Sequence, residues 1–366
     1  ETSQASSEYS HKILEVKRTK ATTMGLLHYF QFAVACVFGL WYSLWIILNL
    51  VLSFMKGPIT FVKDFFKKRD VMPSCLNDPG LGSHEFVHLK EVRLHYVANG
   101  DEKKPLMLLV HGFPEFWYSW RYQLREFSKE YRVVAIDQRG YGDSDKPSGV
   151  KNYCTEKLTG DIKQLIPALG YSRCVLVGHD WGGAVAWHFA MRNPEMVEKL
   201  IILNCPHPAI FASYMRKNLE QFRKSWYMMF FQVPVLPEIA FWANDFKLLE
   251  SILLGENGGV KSKKTTAADI EAYKYCFSSK GAVTNPLNYY RAAFRYPLDK
   301  KNIRLIEKPT MIIWGCPDMA LNQELAPLAG KLVPDLTIKY IEDASHWIQQ
   351  DRPDEVNKFI WEFLNQ

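Results

Sequence analysis

The sequence predicts an α/β domain, a mostly parallel sheet with helices on both faces, carrying a helical insertion and preceded by a membrane helix. Three observations predict it. Beyond residue 84, short apolar runs alternate with amphipathic stretches, the pattern of a parallel sheet covered by helices. From Cys205 to Asn302 that alternation stops, and the segment reads as helices and loops without a convincing strand. From Ala21 to Met55 there is no Asp, Glu, Lys or Arg.

Within the uncharged run, Phe32–Leu52 is apolar apart from Ser43 and Asn49. As a helix it would extend ~31 Å, the thickness of a bilayer's hydrocarbon core. Neither a short apolar core nor a small-x-small cleavage site marks it as a signal peptide. Charge supports the membrane reading. Of a net charge of +6, residues 1–75 contribute +4, from nine Lys/Arg against five acids. The basic excess thus flanks the apolar run, as at a membrane surface, and does not form a face for nucleic acid. The chain divides into an N-terminal segment, 1–55, with the helix at about 32–52, a connector, 56–83, and the α/β domain, 84–366. The connector is amphipathic at first, then punctuated by Pro and Gly up to "NDPGLGS".

Eight strands are expected, at 85–89, 92–97, 106–110, 132–136, 174–177, 200–203, 310–314 and 337–341. Helical patterns fall at 120–129, 156–169, 181–192, 322–331 and 354–364. The insertion, about 206–302, lies between two core strands and should sit as a cap over the sheet's C-terminal edge, where such folds bind ligands. It is rich in bulky apolar residues, among them Phe222, Trp226, Tyr227, Phe231 and Trp242. Gly255–Thr266 reads as a mobile cap loop. Seven cysteines without CxxC spacing read as free thiols, giving neither a disulfide framework nor a zinc site.

The stretch Val175–Trp187, "VLVGHDWGGAVAW", carries the chemistry. It has the frame of a strand-to-helix elbow that presents a nucleophile, but Asp180 stands where G-x-S-x-G has serine. A carboxylate is already an anion at neutral pH, so it can displace oxygen or halogen from a saturated carbon and form an ester. Water must then cleave that ester, which needs a base. Of ten histidines only His346, in "EDASHWIQQ", lies beyond His207, after the last strand, where the order nucleophile, acid, histidine places it. Asp318, on the loop after the preceding strand, is the expected partner, with Asp343 the competing acid. The motif His111-Gly112-Phe113-Pro114 follows a buried strand as an oxyanion loop should. The backbone N–H groups of Phe113 and Trp181 are the expected donors, and one such donor is worth about 3 kcal/mol.

HGFPEFWYSWRYQL, DQRGYGDSD, GHDWGG, WGCPD and SHWIQQD together resemble epoxide hydrolases of the α/β-hydrolase fold, over roughly residues 75–366. The likeness is to the membrane-anchored epoxide hydrolase three and four branch. It implies two cap tyrosines whose hydroxyls bind and protonate the epoxide oxygen, at Tyr227 in "SWYMMFFQ" and Tyr290 in "NPLNYYRAAF", with Tyr289 the neighbouring decoy. It also implies hydrolysis of lipophilic epoxides, fatty-acid epoxides among them, to vicinal diols through an aspartyl ester. No cofactor, metal or nucleic acid is required, and a single-pass protein of the endoplasmic reticulum membrane is expected. Two other readings share the elbow aspartate: a haloalkane dehalogenase, which holds halide through N–H donors and not through paired phenols, and a membrane-tethered binding protein without turnover.

Overall fold

A computed structural model describes residues 34, 37–256, 258–262, 264–297 and 303–366. Eight strands run in chain order: β1 (Ser83–His88), β2 (Arg93–Asn99), β3 (Leu106–Val110), β4 (Arg132–Ile136), β5 (Cys174–His179), β6 (Val197–Leu203), β7 (Thr310–Gly315) and β8 (Leu336–Ile341). They form one sheet in the order β1-β2-β4-β3-β5-β6-β7-β8. Only β2 pairs antiparallel to its neighbours, β1 and β4; the rest of the sheet is parallel. Strands β3, β5 and β7 are buried at every residue, as a sheet covered on both faces requires. Each expected strand is present, and β5 and β6 extend beyond their expected limits. Parallel pairing continues through Gly178 and His179, to the edge of the elbow.

Helices Thr155–Ala168, Trp181–Arg192 and Pro353–Leu364 fall within a residue of expectation. The helix expected at 322–331 shrinks to Leu325–Leu328 and a 3-10 turn at Ala329–Lys331. Pro327 interrupts it, because proline has no N–H and crowds the preceding turn. The cap comprises helices Pro208–Met215, Leu219–Lys224, Trp226–Phe230, Leu236–Leu254, Ala267–Phe277 and Thr284–Arg295, with no strand among its described residues. Helix Leu236–Leu254 is kinked at Ala243–Phe246, where Asn244, Asp245 and Phe246 all have positive φ.

The apolar helix runs Val37–Lys56, four residues past its expected end, and stops at Gly57 and Pro58. Residues 32, 33, 35 and 36 of the expected span lie outside the described residues, as do Asn257 and Lys263 of the cap loop. The connector opens as a short helix, Pro58–Phe65, packed on the cap, with Phe65 and Trp242 edge to face at 6.0 Å. Arg69 then fastens it, donating to Asp245 at 2.5 Å and Glu271 at 2.6 Å. Cys75, Cys154, Cys174, Cys205, Cys276 and Cys316 are free thiols; Cys36 is outside the described residues.

Candidate active site

Strand β5 ends at His179 and helix Trp181–Arg192 begins two residues later, leaving Asp180 to make the turn at φ 50°, ψ −120°. A side chain in that region costs about 1–3 kcal/mol, and such strain persists only where the surroundings enforce it. Here they do. A Cβ at Gly182 would strike the Val110 and His111 carbonyls, and one at Gly112 would strike the Asp180 carboxylate itself. The elbow and the loop after β3 therefore fit together only through glycine at both positions. The Phe113 N–H donates to Asp180 Oδ1 at 2.8 Å, and the Phe113–Pro114 peptide is cis. Trp181, the first residue of its helix, has an N–H with no intrahelical acceptor. His111 faces away from the carboxylate: its Nδ1 meets the Gly112 carbonyl at 2.8 Å and its Nε2 accepts from Gln138 at 3.2 Å. It shapes the loop and reaches none of the reacting groups.

His346 lies between two carboxylates. Its Nδ1 bonds Asp318 Oδ2 at 2.6 Å, and its Nε2 stands 3.5 Å from Asp180 Oδ2. Asp343 is exposed and makes no bond to the ring. Burial opposes charge on His346, but Asp318 and Asp180 outweigh it and raise its pKa to about 10. Asp318 is fully buried, which works against its ionisation. His346, a bond from Asn204 at 2.8 Å and the N–H of Ala320 at 2.7 Å nevertheless hold its pKa below the ordinary value, and the Leu321 N–H also donates to it at 3.0 Å.

Two cap helices bring Tyr227 and Tyr290 together over this group, their rings edge to face at 5.8 Å. Tyr290 also packs on Trp181 at 5.0 Å and Phe113 at 5.4 Å. The Tyr289 hydroxyl points elsewhere and donates to the Arg139 carbonyl at 2.8 Å. No protein acceptor takes the hydroxyl proton of Tyr227 or Tyr290 among the described residues. Burial, with the Asp180 charge adding to it, pushes both phenols well above their ordinary pKa. They are neutral donors at any physiological pH. Phe231 and Phe241 close the apolar side of the space.

Sequence reasoning missed the support behind these groups. Glu115, fully buried, accepts from Gly112 N–H at 3.1 Å and from Gln349 and Gln350 at 2.8 and 2.9 Å. Its other partner is His179, whose Nδ1 lies 2.7 Å from the carboxylate and whose Nε2 meets the His346 carbonyl at 2.8 Å. The His179 ring thus bridges Glu115 and the loop that carries His346. Asp351 is a second unforeseen tie. It accepts from Ser345 N–H at 2.7 Å, beside His346, and from Ser262 N–H at 2.6 Å, on the cap loop. The loop expected to be mobile is thus bonded to the loop that carries His346, and Lys264 adds a pair with Asp354 at 2.6 Å. A signal was present in the sequence, since Glu115, His179 and Asp351 all lie within the motifs quoted above; only the fold reveals their partners. Among the described residues, no cluster of His, Cys, Asp and Glu is arranged to hold a metal ion.

An elbow aspartate, an acid–histidine pair and a loop after β3 closed upon them by a backbone N–H mark the α/β-hydrolase fold on this sheet, and residues 105–353 match the family of that description. Human epoxide hydrolase 4 is 47% identical over 340 residues, covering 91% of this chain and 92% of the relative. Epoxide hydrolase 3 of Xenopus tropicalis is 44% identical over 317 residues, covering 85% of each. An epoxide hydrolase of Bacillus megaterium, solved with an inhibitor, superposes at a TM-score of 0.70 with 37% identity, covering 77% of this chain and 100% of its own. The chain belongs to the epoxide hydrolases.

Proposed function

We propose that the chain hydrolyses lipophilic epoxides through an ester on Asp180, with Tyr227 and Tyr290 as acids and His346, oriented by Asp318, as base. The observation that carries this is His346 held between the Asp180 and Asp318 carboxylates, beneath two phenols whose protons find no protein acceptor among the described residues. An Asp180 oxygen attacks an epoxide carbon, the carbon–oxygen bond breaks, and the nascent alkoxide takes a proton from a phenol. Alkylation removes the Asp180 charge, which is one of the two holding the imidazole protonated. The ring then gives its proton to the phenolate and becomes a base only once there is an ester to cleave. It deprotonates water, and hydroxide adds to the ester carbonyl. The Phe113 and Trp181 N–H groups hold the oxyanion. Collapse expels the diol alkoxide, which takes the proton of the restored carboxyl group, and the enzyme returns to its starting protonation.

The apolar walls, Phe113, Trp181, Phe231 and Phe241, suit a lipid or aryl epoxide. A variant of the Bacillus megaterium relative was solved with its product, (R)-3-[1]naphthyloxy-propane-1,2-diol, an apolar vicinal diol. For this chain we infer epoxidised fatty acids as the substrate class and the endoplasmic reticulum membrane as the place of action. Intact-mass spectrometry tests the mechanism. His346→Gln with one epoxide is expected to gain the epoxide's mass on Asp180, and Asp180→Asn is expected to gain nothing. An adduct on another residue would displace Asp180 as nucleophile. Diol formation from a panel of lipid and aryl epoxides, against halide release from chloroalkanes, tests the substrate class.

A further inference from the structure

The helix Val37–Lys56 is docked on the cap along its length. Phe38 meets Phe222 edge to face at 5.5 Å, and one turn later Tyr42 meets Trp226 at 5.3 Å. Between them, a Cβ at Gly39 would lie 2.6 Å from the Met229 carbonyl oxygen, so this approach requires glycine. Ser43 is 3% exposed and turns its hydroxyl back onto the Gly39 carbonyl at 2.7 Å. Ile46 packs onto the core. Near the far end the Ser53 hydroxyl donates to Asn244 at 2.7 Å. Asn244 lies in the kinked stretch of positive φ whose next residue, Asp245, is gripped by Arg69. The strained turn of the cap is thus where both the helix and the connector hold on.

The opposite face is apolar and uncovered: Leu40, Trp41, Leu44, Leu48, Val51 and Met55 are each at least 47% exposed. The surface continues past Gly57 through Ile59, Val62 and Phe66, with Lys56, Lys63, Lys67 and Lys68 exposed beside it. An upright spanning helix with these contacts would draw the cap into hydrocarbon, including the ionised Glu220, Arg223 and Lys224 of the neighbouring cap helix, and charges in hydrocarbon are costly. A helix with one face bound to protein, one face apolar and lysines at its border fits a single leaflet lying flat. Anionic headgroups complement those lysines.

We propose that Val37–Lys56 lies in the plane of the membrane as the lipid-facing side of the cap, in place of the crossing expected from its length. The helix Pro58–Phe65 enters the same leaflet, and the lysines meet anionic headgroups. Trp226, which touches Tyr42, adjoins Tyr227, so the cap helix bearing that phenol is held at the lipid surface. A lipophilic epoxide then passes from the leaflet to the cap without crossing water.

The test uses the full chain in sealed microsomes, with a different protease-cleavable tag at each end. Lying flat places both tags on one side, so both are cut or both are protected together; tags on opposite sides overturn the proposal. In the same membranes, Ser53→Cys with Asn244→Cys is expected to form a disulfide on mild oxidation, identified by peptide mapping. Adding Gly39→Leu is expected to reduce its yield several-fold by pushing the helix off the Met229 carbonyl. Failure of residues 53 and 244 to cross-link in the membrane overturns the proposal too, and the tag result, read on a chain without substitutions, does not depend on how the cysteine variant folds.

Discussion

In the proposed mechanism Asp180 is both the nucleophile and, once alkylated, the carbonyl that water attacks. Its position suits both tasks: Phe113 N–H already bonds one oxygen, and His346 stands beside the other. A consequence concerns where oxygen goes. In a single turnover in ¹⁸O-water the label is expected in the Asp180 side chain and not in the diol, read by mass spectrometry of the elbow peptide. Direct attack of water would place it in the diol. Tyr227→Phe or Tyr290→Phe is expected to slow alkylation while ester cleavage keeps its rate, and the double variant to lose about 10²–10⁴-fold, the usual size of general-acid help. Stopped-flow measurement of the two phases separates these effects. His346, raised to about 10 partly by Asp180, is expected to titrate lower in Asp180→Asn, as followed by the NMR shifts of its ring.

The loop that bears His346 is held from two sides, by His179 beneath its carbonyl and by Asp351 at the preceding N–H. Asp351→Asn keeps the shape but puts an amide where one of the two N–H groups now finds an acceptor. Ester cleavage is expected to fall about tenfold with alkylation little changed, since a single hydrogen bond to a charged group is worth about 1.5–3 kcal/mol. Pre-steady-state accumulation of the ester checks this. Such ties also mark what a sequence can convey. Strand positions, the elbow and the order of Asp180, Asp318 and His346 were legible because local patterns encode them. Apolar runs make strands, glycines permit a tight turn, and chain order follows topology. The Glu115–His179 pair was not legible, because residues 64 apart become partners only when β3 and β5 lie side by side. Nor was the docked face of Val37–Lys56, whose apolar residues look alike all round until Gly39 and Ser43 find the cap.

For the whole molecule, the apolar helix is part of the packing as well as a candidate membrane element. Deleting residues 1–56 leaves Arg69 on Asp245 but uncovers Phe222 and Trp226. The truncated chain is expected to bind the membrane more weakly, through Pro58–Phe65 and its lysines, to hydrolyse a water-soluble epoxide, and to self-associate unless detergent covers the cap; flotation assays and light scattering measure the two behaviours. Stability should also depend on pH through the buried base. Because folding raises the pKa of His346 from 6.5 to about 10, its contribution is fully present below about pH 6.5 and lost as pH rises through 10. Thermal melts from pH 6.5 to 10 are expected to fall more steeply for the unsubstituted chain than for His346→Gln.

Two carboxylates around one imidazolium leave the resting site with one surplus negative charge. Displacement of a halide would move that charge onto a free anion that must leave past Asp318, whereas an opened epoxide keeps its oxygen attached and leaves as a neutral diol. Inorganic anions should therefore be poor competitors: turnover is expected to be indifferent to bromide at concentrations where ionic strength is held constant. The same field disfavours a substrate carboxylate near Asp180, so an epoxidised fatty acid should enter chain-first with its acid end kept toward the mouth. Its methyl ester, freed of that constraint, should be accepted in either direction and give a broader mixture of diol enantiomers.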